Sequence, residues 1–377
     1  MSAERDARFM RRALELAERG RGLTSPNPMV GAVVVSGDTI LGEGFHEWAG
    51  GPHAEVLALA AAGARSRGAT LYSTLEPCVH HGRTPPCAPA VVAAGICRVV
   101  VALVDPNPLV AGRGLGALRE AGVEVVAAIL TEDAERQNRA FTTAMRLGRP
   151  HVTLKAATTL DGRIADVQGE SKWITGPDAR AAAHRLRSEA DAIVAGVGTV
   201  LRDDPALTVR LDRPWPREPY RVVLDTGART PADARLITAA TPARALVIVG
   251  EHADAARTAT LTAAGATVIS VPVRDDRIDL HAALAALAER EVRAVLVEGG
   301  GEVHGAFLDA ALVDRVAFFV APRLLGGRGA TPAIGGAGSP LKSAARIIGV
   351  EVTHLGEDLL IEGDIERPGV ADRPDAE

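Results

Sequence analysis

Residues 53–104 read HAEVLALAAAGARSRGATLYSTLEPCVHHGRTPPCAPAVVAAGICRVVVALV. Two short helical runs closed by glycine, HAEVLALAAAG (53–63) and APAVVAAG (88–95), alternate with two β-rich apolar runs, ATLYSTL (69–75) and RVVVALV (98–104). The alternation continues outward, upstream to MVGAVVV (29–35) and downstream to GLGALREAG (114–122) and VEVVAAI (123–129). Such a pattern predicts an α/β layer, a sheet covered by helices. Ahead of it, Phe9, Met10, Ala13, Leu14 and Ala17 recur at helical spacing, so an amphipathic helix is expected over 5–20, stopped by the glycines at 20–22. After it a longer helix is expected over 131–146, ended by Leu147-Gly148-Arg149-Pro150. Cys97, leading into an apolar strand, reads as a small buried hydrophobe.

From His151 the pattern restarts. HVTLKAAT (151–158) is a strand, Asp161-Gly162 a turn, and Gly176-Pro177 opens a helix. DAIVAGVG (191–198), RVVLD (221–225), RALVIVG (244–250), ATVISV (266–271), RAVLVEGG (293–300) and RVAFFVAP (315–322) are further strands, with helical runs between most of them. A length of 377 residues suits two domains better than one. The expected division is 1–147 and 150–365, with a flexible tail over 366–377 that is rich in Pro, Asp and Glu. Beyond about Ala321 the loops, LGGRG (325–329) among them, read only as turns.

Composition narrows the function. With 47% hydrophobic and 24% charged residues, the chain is an ordinary globular one. A net charge of −5 and few aromatics argue against a nucleic-acid partner, and three cysteines argue against a disulfide-stapled secreted fold. The apolar runs are too short for a membrane span and the start lacks a signal core, so a reducing, cytoplasmic setting is expected. Arginine carries nearly all the positive charge: Lys155, Lys172 and Lys342 are the only lysines.

The chemistry is concentrated in His53-Ala54-Glu55, Pro77-Cys78 and Cys87. One His and two Cys make three ligands for zinc, and a catalytic zinc site keeps three protein ligands and an open position, whereas a structural site closes with four. Positions i and i+2 of a helix face apart, which discourages joint ligation, so Glu55 is cast as the acid and base acting beside the metal. Zinc lowers the pKa of bound water to about 7, and a neighbouring carboxylate can pass its proton to a leaving group. His80 and His81 remain rival ligands on spacing alone. In the downstream half, Glu298-Gly299-Gly300-Gly301 ends a strand and opens a helix, an arrangement that lets backbone N–H groups approach a phosphate. Gly112-Arg113-Gly114-Leu115-Gly116-Ala117 nearly fits a dinucleotide fingerprint but follows a proline-bearing loop, and reads as a helix start.

The H-x-E and P-C pattern resembles the zinc-dependent nucleobase and nucleoside deaminases. Those usually carry C-x-x-C; here eight residues separate Cys78 from Cys87, the form found in the bifunctional deaminase-reductases of riboflavin biosynthesis. Asn27-Pro28-Met29-Val30-Gly31-Ala32, Gly44-Phe45-His46 and Asp105-Pro106-Asn107-Pro108 extend that resemblance across the first domain. It implies a cytidine-deaminase-like α/β/α layer followed by a dihydrofolate-reductase-like α/β domain, with Zn2+ and NADPH as cofactors. It implies metal ligation by His53, Cys78 and Cys87, and substrate contacts at Asn27, His46, His80, Arg83, Thr84, Asp105 and Asn107. Without it, the Asn27 and Asp105 segments are ordinary turns.

The second half resembles the reductase of the same family through Leu154-Lys155-Ala156-Ala157, Asp161-Gly162-Arg163, the run from Gly169 to Thr175, Leu186-Arg187, and the run from Gly198 to Arg210. The resemblance implies cofactor contacts at Ala157, Trp173, Thr199, Asp203, Gly299, Gly300 and Gly301. It implies substrate contacts at Ser171, Arg187, Leu207, Arg210 and Glu298. Lys155 is either a proton or hydrogen-bond donor to the ribose or a surface lysine beside a strand, and Trp173 either a flat wall of the site or core packing. The implied partner is a small pyrimidine ribosyl phosphate, with no nucleic acid or membrane, and a homo-oligomer is allowed. Two rivals are a nucleic-acid base deaminase and a zinc-stabilised scaffold without catalysis.

Overall fold

A computed structural model describes residues 3–82, 84–239 and 241–366 of the protein, in two compact units that divide between Arg149 and Pro150. In the first unit α1 (Ala3–Glu18), β1 (Gly31–Ser36), β2 (Thr39–Phe45), α2 (Ala54–Ala62), β3 (Thr70–Leu75), α3 (Cys87–Ala93), β4 (Arg98–Leu103), α4 (Arg113–Glu120), β5 (Glu124–Val126), α5 (Thr131–Gln137) and α6 (Arg139–Leu147) follow in order. The strands make one sheet in the order β2-β1-β3-β4-β5, parallel from β3 to β5 and antiparallel around β1. β3 and β4 are buried along their whole length, as suits strands covered on both faces. Gly42 and Gly44 let α2 settle onto β2. A side-chain carbon at Gly42 would lie 2.2 Å from the Ala58 carbonyl oxygen, and one at Gly44 2.5 Å from that of Ala54. This close approach fixes the first turn of α2, where His53 and Glu55 stand.

The single helix expected over 131–146 is two helices, broken at Asn138 (φ −104°, ψ 22°). Asn138 leaves helical geometry because its amide clamps the backbone of Met29: Oδ1 accepts from Met29 N at 2.7 Å and Nδ2 donates to Met29 O at 2.9 Å. A tertiary contact overrides the local periodicity. Cys97 is exposed, not buried, with Sγ 3.0 Å from the Gly68 carbonyl oxygen.

The second unit runs β6 (His151–Thr159), β7 (Arg163–Ala165), α7 (Pro177–Glu189), β8 (Ala192–Gly196), α8 (Val197–Asp203), β9 (Tyr220–Leu224), α9 (Arg235–Thr238), β10 (Ala245–Gly250), α10 (Ala255–Ala263), β11 (Thr267–Val271), β12 (Val273–Arg274), β13 (Arg277–Ile278), α11 (Leu280–Ala288), β14 (Ala294–Gly299), α12 (Gly301–Asp309), β15 (Arg315–Ala321), β16 (Thr331–Pro332), β17 (Ile347–Leu355) and β18 (Asp358–Ile365). Nine strands form the main sheet in the order β11-β10-β9-β8-β14-β6-β15-β18-β17. The first seven of these are parallel and the β17–β18 hairpin is antiparallel at the edge.

Alternation along β10 shows why its run is apolar throughout. Leu246 and Ile248 enter one core cluster and Val247 and Val249 another, so both faces of the strand are buried. The order of strands places the C-terminal ends of β6, β8 and β14 side by side, and crevices at such crossover points receive ligands in open α/β sheets. The hairpin corrects the reading of turns alone after Ala321. β17 escaped notice because eight of its nine residues are exposed and it carries no buried alternation. Among the described residues no helix is long and apolar enough to cross a membrane. Apart from Glu366, the expected tail lies outside the described residues.

Candidate active sites

In the first unit His53 is the N-cap of α2, in extended conformation, with Glu55 in the first turn of that helix. Cys87 opens α3, and Cys78 lies in the loop between β3 and α3. The ligand atoms of His53, Cys78 and Cys87 all lie within 4.8 Å of one another. His53 Nδ1 is 3.0 Å from the Cys87 sulfur and 3.6 Å from that of Cys78. As N-cap, His53 is free of the helical spacing that separates i from i+2. Among the described residues this is the one His, Cys and carboxylate group so assembled, and it contains neither His80 nor His81. The Cys87 thiol beside Cys78 draws the latter's pKa down to about 4, against burial, while that neighbour and burial push Cys87 up. An imidazole and two sulfurs, one readily a thiolate, are the donor set zinc prefers, and three donors leave a fourth position. The residues fit the metal.

The groups around this cluster are hydrogen-bonded in a definite way. Thr84 Oγ1 lies 2.8 Å from His53 Nε2, so with Nδ1 facing the thiols Nε2–H donates to that hydroxyl. Glu55 is 3% exposed, and burial raises its pKa to about 7. His46 Nδ1 donates to the Pro52 carbonyl at 3.0 Å, which leaves Nε2 to accept from Asn27 Nδ2 at 3.0 Å. Burial keeps that imidazole neutral by lowering its pKa. Asp105 is buried and raised to about 6 by that burial, helped by Glu76 and Cys78, while its Oδ1 accepts from Asn107 N at 2.8 Å. Asn107 Oδ1 in turn accepts from Leu109 N at 3.0 Å. His80 is half-buried with Nδ1 unpaired, and Arg83 lies outside the described residues.

In the second unit a cavity of about 460 Å3 opens at the ends of β6, β8 and β14. Lys155, Ala157, Ser171, Trp173, Thr199, Asp203, Glu298, Gly300 and Gly301 line it. Arg187 and Glu298 form a bidentate pair, Nε to Oε1 at 2.6 Å and Nη2 to Oε2 at 2.7 Å, while Nη1 donates to Thr208 O at 3.0 Å. Although burial opposes it, Arg187 and Lys155 hold Glu298 at about 2. Lys155 is no surface residue: burial lowers its pKa, and Nζ sits 5.6 Å from the centre of the Phe319 ring. Nor is Trp173 core: it is 61% exposed, with the Arg180 guanidinium 4.7 Å from its ring centre. Arg210 is exposed and its backbone N donates to His184 Nδ1 at 3.2 Å. Leu207 lies apart, its side chain buried against Ile193 and Ala195.

The glycine turn works differently from its sequence reading. Gly299 takes the positive φ, +115°, whereas Gly300 has an ordinary φ of −67°. A side-chain carbon at Gly300 would come within 3.5 Å of Thr199 Oγ1, and one at Gly301 within 2.5 Å of the Pro332 carbonyl oxygen. Two buried groups, Glu76 and His304, carry no local signal in the sequence. Burial holds His304 below the usual histidine range, and its Nδ1 is 2.8 Å from the Ala333 carbonyl oxygen.

Residues 3–103 match the cytidine and deoxycytidylate deaminase zinc-binding region, and residues 150–361 match the RibD C-terminal domain. Fold and sites thus define a zinc deaminase joined to an NADPH-using reductase. A riboflavin biosynthesis protein RibD of Aquifex aeolicus is 42% identical over 96% of this chain and 99% of its own. The structure of RibD from Acinetobacter baumannii shares 39% identity and a TM-score of 0.88 over 97% of this chain and all of that one. A diaminohydroxyphosphoribosylaminopyrimidine deaminase/5-amino-6-(5-phosphoribosylamino)uracil reductase from Thermotoga maritima shares 37% identity and a TM-score of 0.81, covering 96% of this chain and 99% of that one. The chain belongs to the RibD family: it is a bifunctional deaminase and reductase of riboflavin biosynthesis.

Proposed function

We propose that the first domain hydrolytically deaminates 2,5-diamino-6-(ribosylamino)pyrimidin-4-one 5′-phosphate, and that the second reduces the ribosyl group of the product to ribityl. The observation that carries this reading is a buried carboxyl near neutrality, Glu55, beside a three-donor metal cluster. The Thermotoga relative, named for both reactions, supports the substrate. His53, Cys78 and Cys87 would hold zinc, which when bound would supply a water nucleophile at neutral pH. Glu55 would serve as base toward the attacking water and as acid toward the departing amine, which leaves as ammonia. Asn27, His80, Arg83, Asp105 and Asn107 bind the pyrimidine and its ribosyl phosphate; His46, with both ring nitrogens engaged, orients Asn27, and Thr84 orients His53.

In the reductase NADPH, when bound, would supply the hydride. Ala157, Trp173, Thr199, Asp203 and the turn of Gly299, Gly300 and Gly301 hold the cofactor. Ser171, Arg187, Leu207, Arg210 and Glu298 hold the substrate, with Leu207 contributing backbone alone. Lys155 would donate a proton to the sugar ring oxygen as that oxygen's bond to C1 breaks and hydride adds to C1, and its lowered pKa suits a proton donor. Free thiols at the metal cluster suit a reducing, cytoplasmic setting. Self-association belongs to the same reading, since β17 is an edge strand that exposes Ile348, Val350 and Val352. The test is an assay of the diamino pyrimidine phosphate with and without NADPH. Ammonia release in both cases, with NADPH consumed only after deamination, is expected; ammonia release without later NADPH consumption refutes the second half.

A further inference from the structure

The Gly112-Arg113-Gly114 segment has the shape of an anion site, and the anion is already present. Glu76, 2% exposed, follows β3 and points both carboxylate oxygens at backbone N–H groups. Oε1 accepts from Gly114 N at 2.8 Å and Leu115 N at 3.1 Å, and Oε2 accepts from Gly112 N at 3.0 Å and Asp105 N at 3.1 Å. Four donors meet on one carboxylate, three of them from the start of α4, which places the negative charge where both the orphan N–H groups and the helix dipole favour it. The glycines make the wrap feasible. Gly112 has a φ of +86°, and a side-chain carbon at Gly114 would lie 2.1 Å from the Pro77 carbonyl oxygen.

Glu76 therefore ties three segments together: the end of β3 that continues into Cys78, the loop after β4 that carries Asp105 and Asn107, and the first turn of α4. Its backbone N also donates to the Leu103 carbonyl at 2.9 Å, so strand pairing and carboxylate lock the same two segments in register.

We propose that Glu76 is a positioning residue of the deaminase, an internal carboxylate that seats the Asp105 loop against the strand end bearing Cys78. The inference rests on the reading that Asp105 and Asn107 contact substrate. An amide at position 76 keeps one acceptor and turns an N–H2 toward two N–H donors, so it expels the loop on one side. In full-length Glu76→Gln, zinc content and NADPH-dependent reduction of the deaminated product are expected to stay at wild-type levels. KM of deamination is expected to rise at least about tenfold, a factor equal to one weakened charge-assisted hydrogen bond, with kcat per zinc changed far less. Gly112→Ala, which strains the same seat without altering charge, should shift KM in the same direction, and decides the matter if the first variant does not fold. Unchanged KM per zinc-loaded chain in the folded variant overturns the inference. Asp105→Ala separates the underlying reading: unchanged KM there overturns the reading and the inference with it, whereas raised KM there with unchanged KM in Glu76→Gln overturns the inference alone.

Discussion

A carboxyl with a pKa near 7 is populated in both protonation states at neutral pH, and burial, against the pull of His53 and with the charge of Cys78 adding to it, brings Glu55 there. Glu55→Gln should retain about one zinc per chain and lose deamination by at least about 10²-fold, the low end for a positioned acid-base group. Metal analysis and ammonia release on one preparation check both halves. Thr84 makes the opposite prediction. Its hydroxyl holds His53 by Nε2, so Thr84→Val should weaken zinc binding by about 10–100-fold, measured by competition with a chelator, while saturating zinc restores turnover. A variant that binds zinc as tightly as wild type but has lost activity would return Thr84 to the substrate. His53, Glu55, Cys78 and Cys87 were legible in the sequence because metal chemistry restricts residue types and spacing. Nothing adjacent to Thr84 in the chain marks its partner, 31 residues away.

At the scale of elements, α1 is tied to the sheet by a buried ion pair. Arg98 donates to both Asp6 oxygens at 2.9 and 2.8 Å, and Tyr72 Oη donates to Oδ1 at 2.8 Å. The Arg98 hydrogen bonds hold Asp6 below its ordinary 3.8. A carboxyl lowered by folding adds stability that is complete above the unfolded value and disappears as pH falls through the folded one. Asp6→Asn should therefore cost about 1–3 kcal/mol at neutral pH, since Arg98 keeps only its bond to Glu124, with the gap to wild type closing below about pH 4. Denaturant melts across pH read this directly; a gap independent of pH would mean the cost is packing alone. The turn between β14 and α12 gives a cleaner test than its sequence promised. Gly300 has a negative φ and an added side chain would point toward Thr199, so Gly300→Val should fill that space while the second unit still folds. NADPH affinity should fall by tens of fold, about 2 kcal/mol or more, and deamination should persist. A lower melting temperature with unchanged affinity would remove the turn from the cofactor site.

At the scale of the whole molecule, the two chemistries reside in separate compact units. Cutting the chain between Arg149 and Pro150 should yield a zinc-binding fragment that releases ammonia and an NADPH-binding fragment that reduces the deaminated product. Each is measured alone and after mixing. Folded fragments that act only when mixed would show that one site needs both units.

The sequence by itself pointed to the two α/β units, to His53, Cys78 and Cys87 with Glu55 as an acid beside them, and to the glycine turn. Each rests on local chemistry: periodicity follows from burial, and zinc, proton transfer and close backbone approach admit few residue types. Tertiary structure decided what depends on contacts between distant residues. Asn138 breaks a periodic helix because Met29 offers its backbone, and Glu76 fills a glycine-rich helix start that reads locally as almost a nucleotide site. Lys155 and Trp173, ambiguous in the chain, both line a cavity that exists only once β6, β8 and β14 lie side by side, Trp173 exposed at its edge. β17, a strand without a buried face, is ordered by hydrogen bonds to β18, and backbone pairing of that kind leaves no pattern in the side chains.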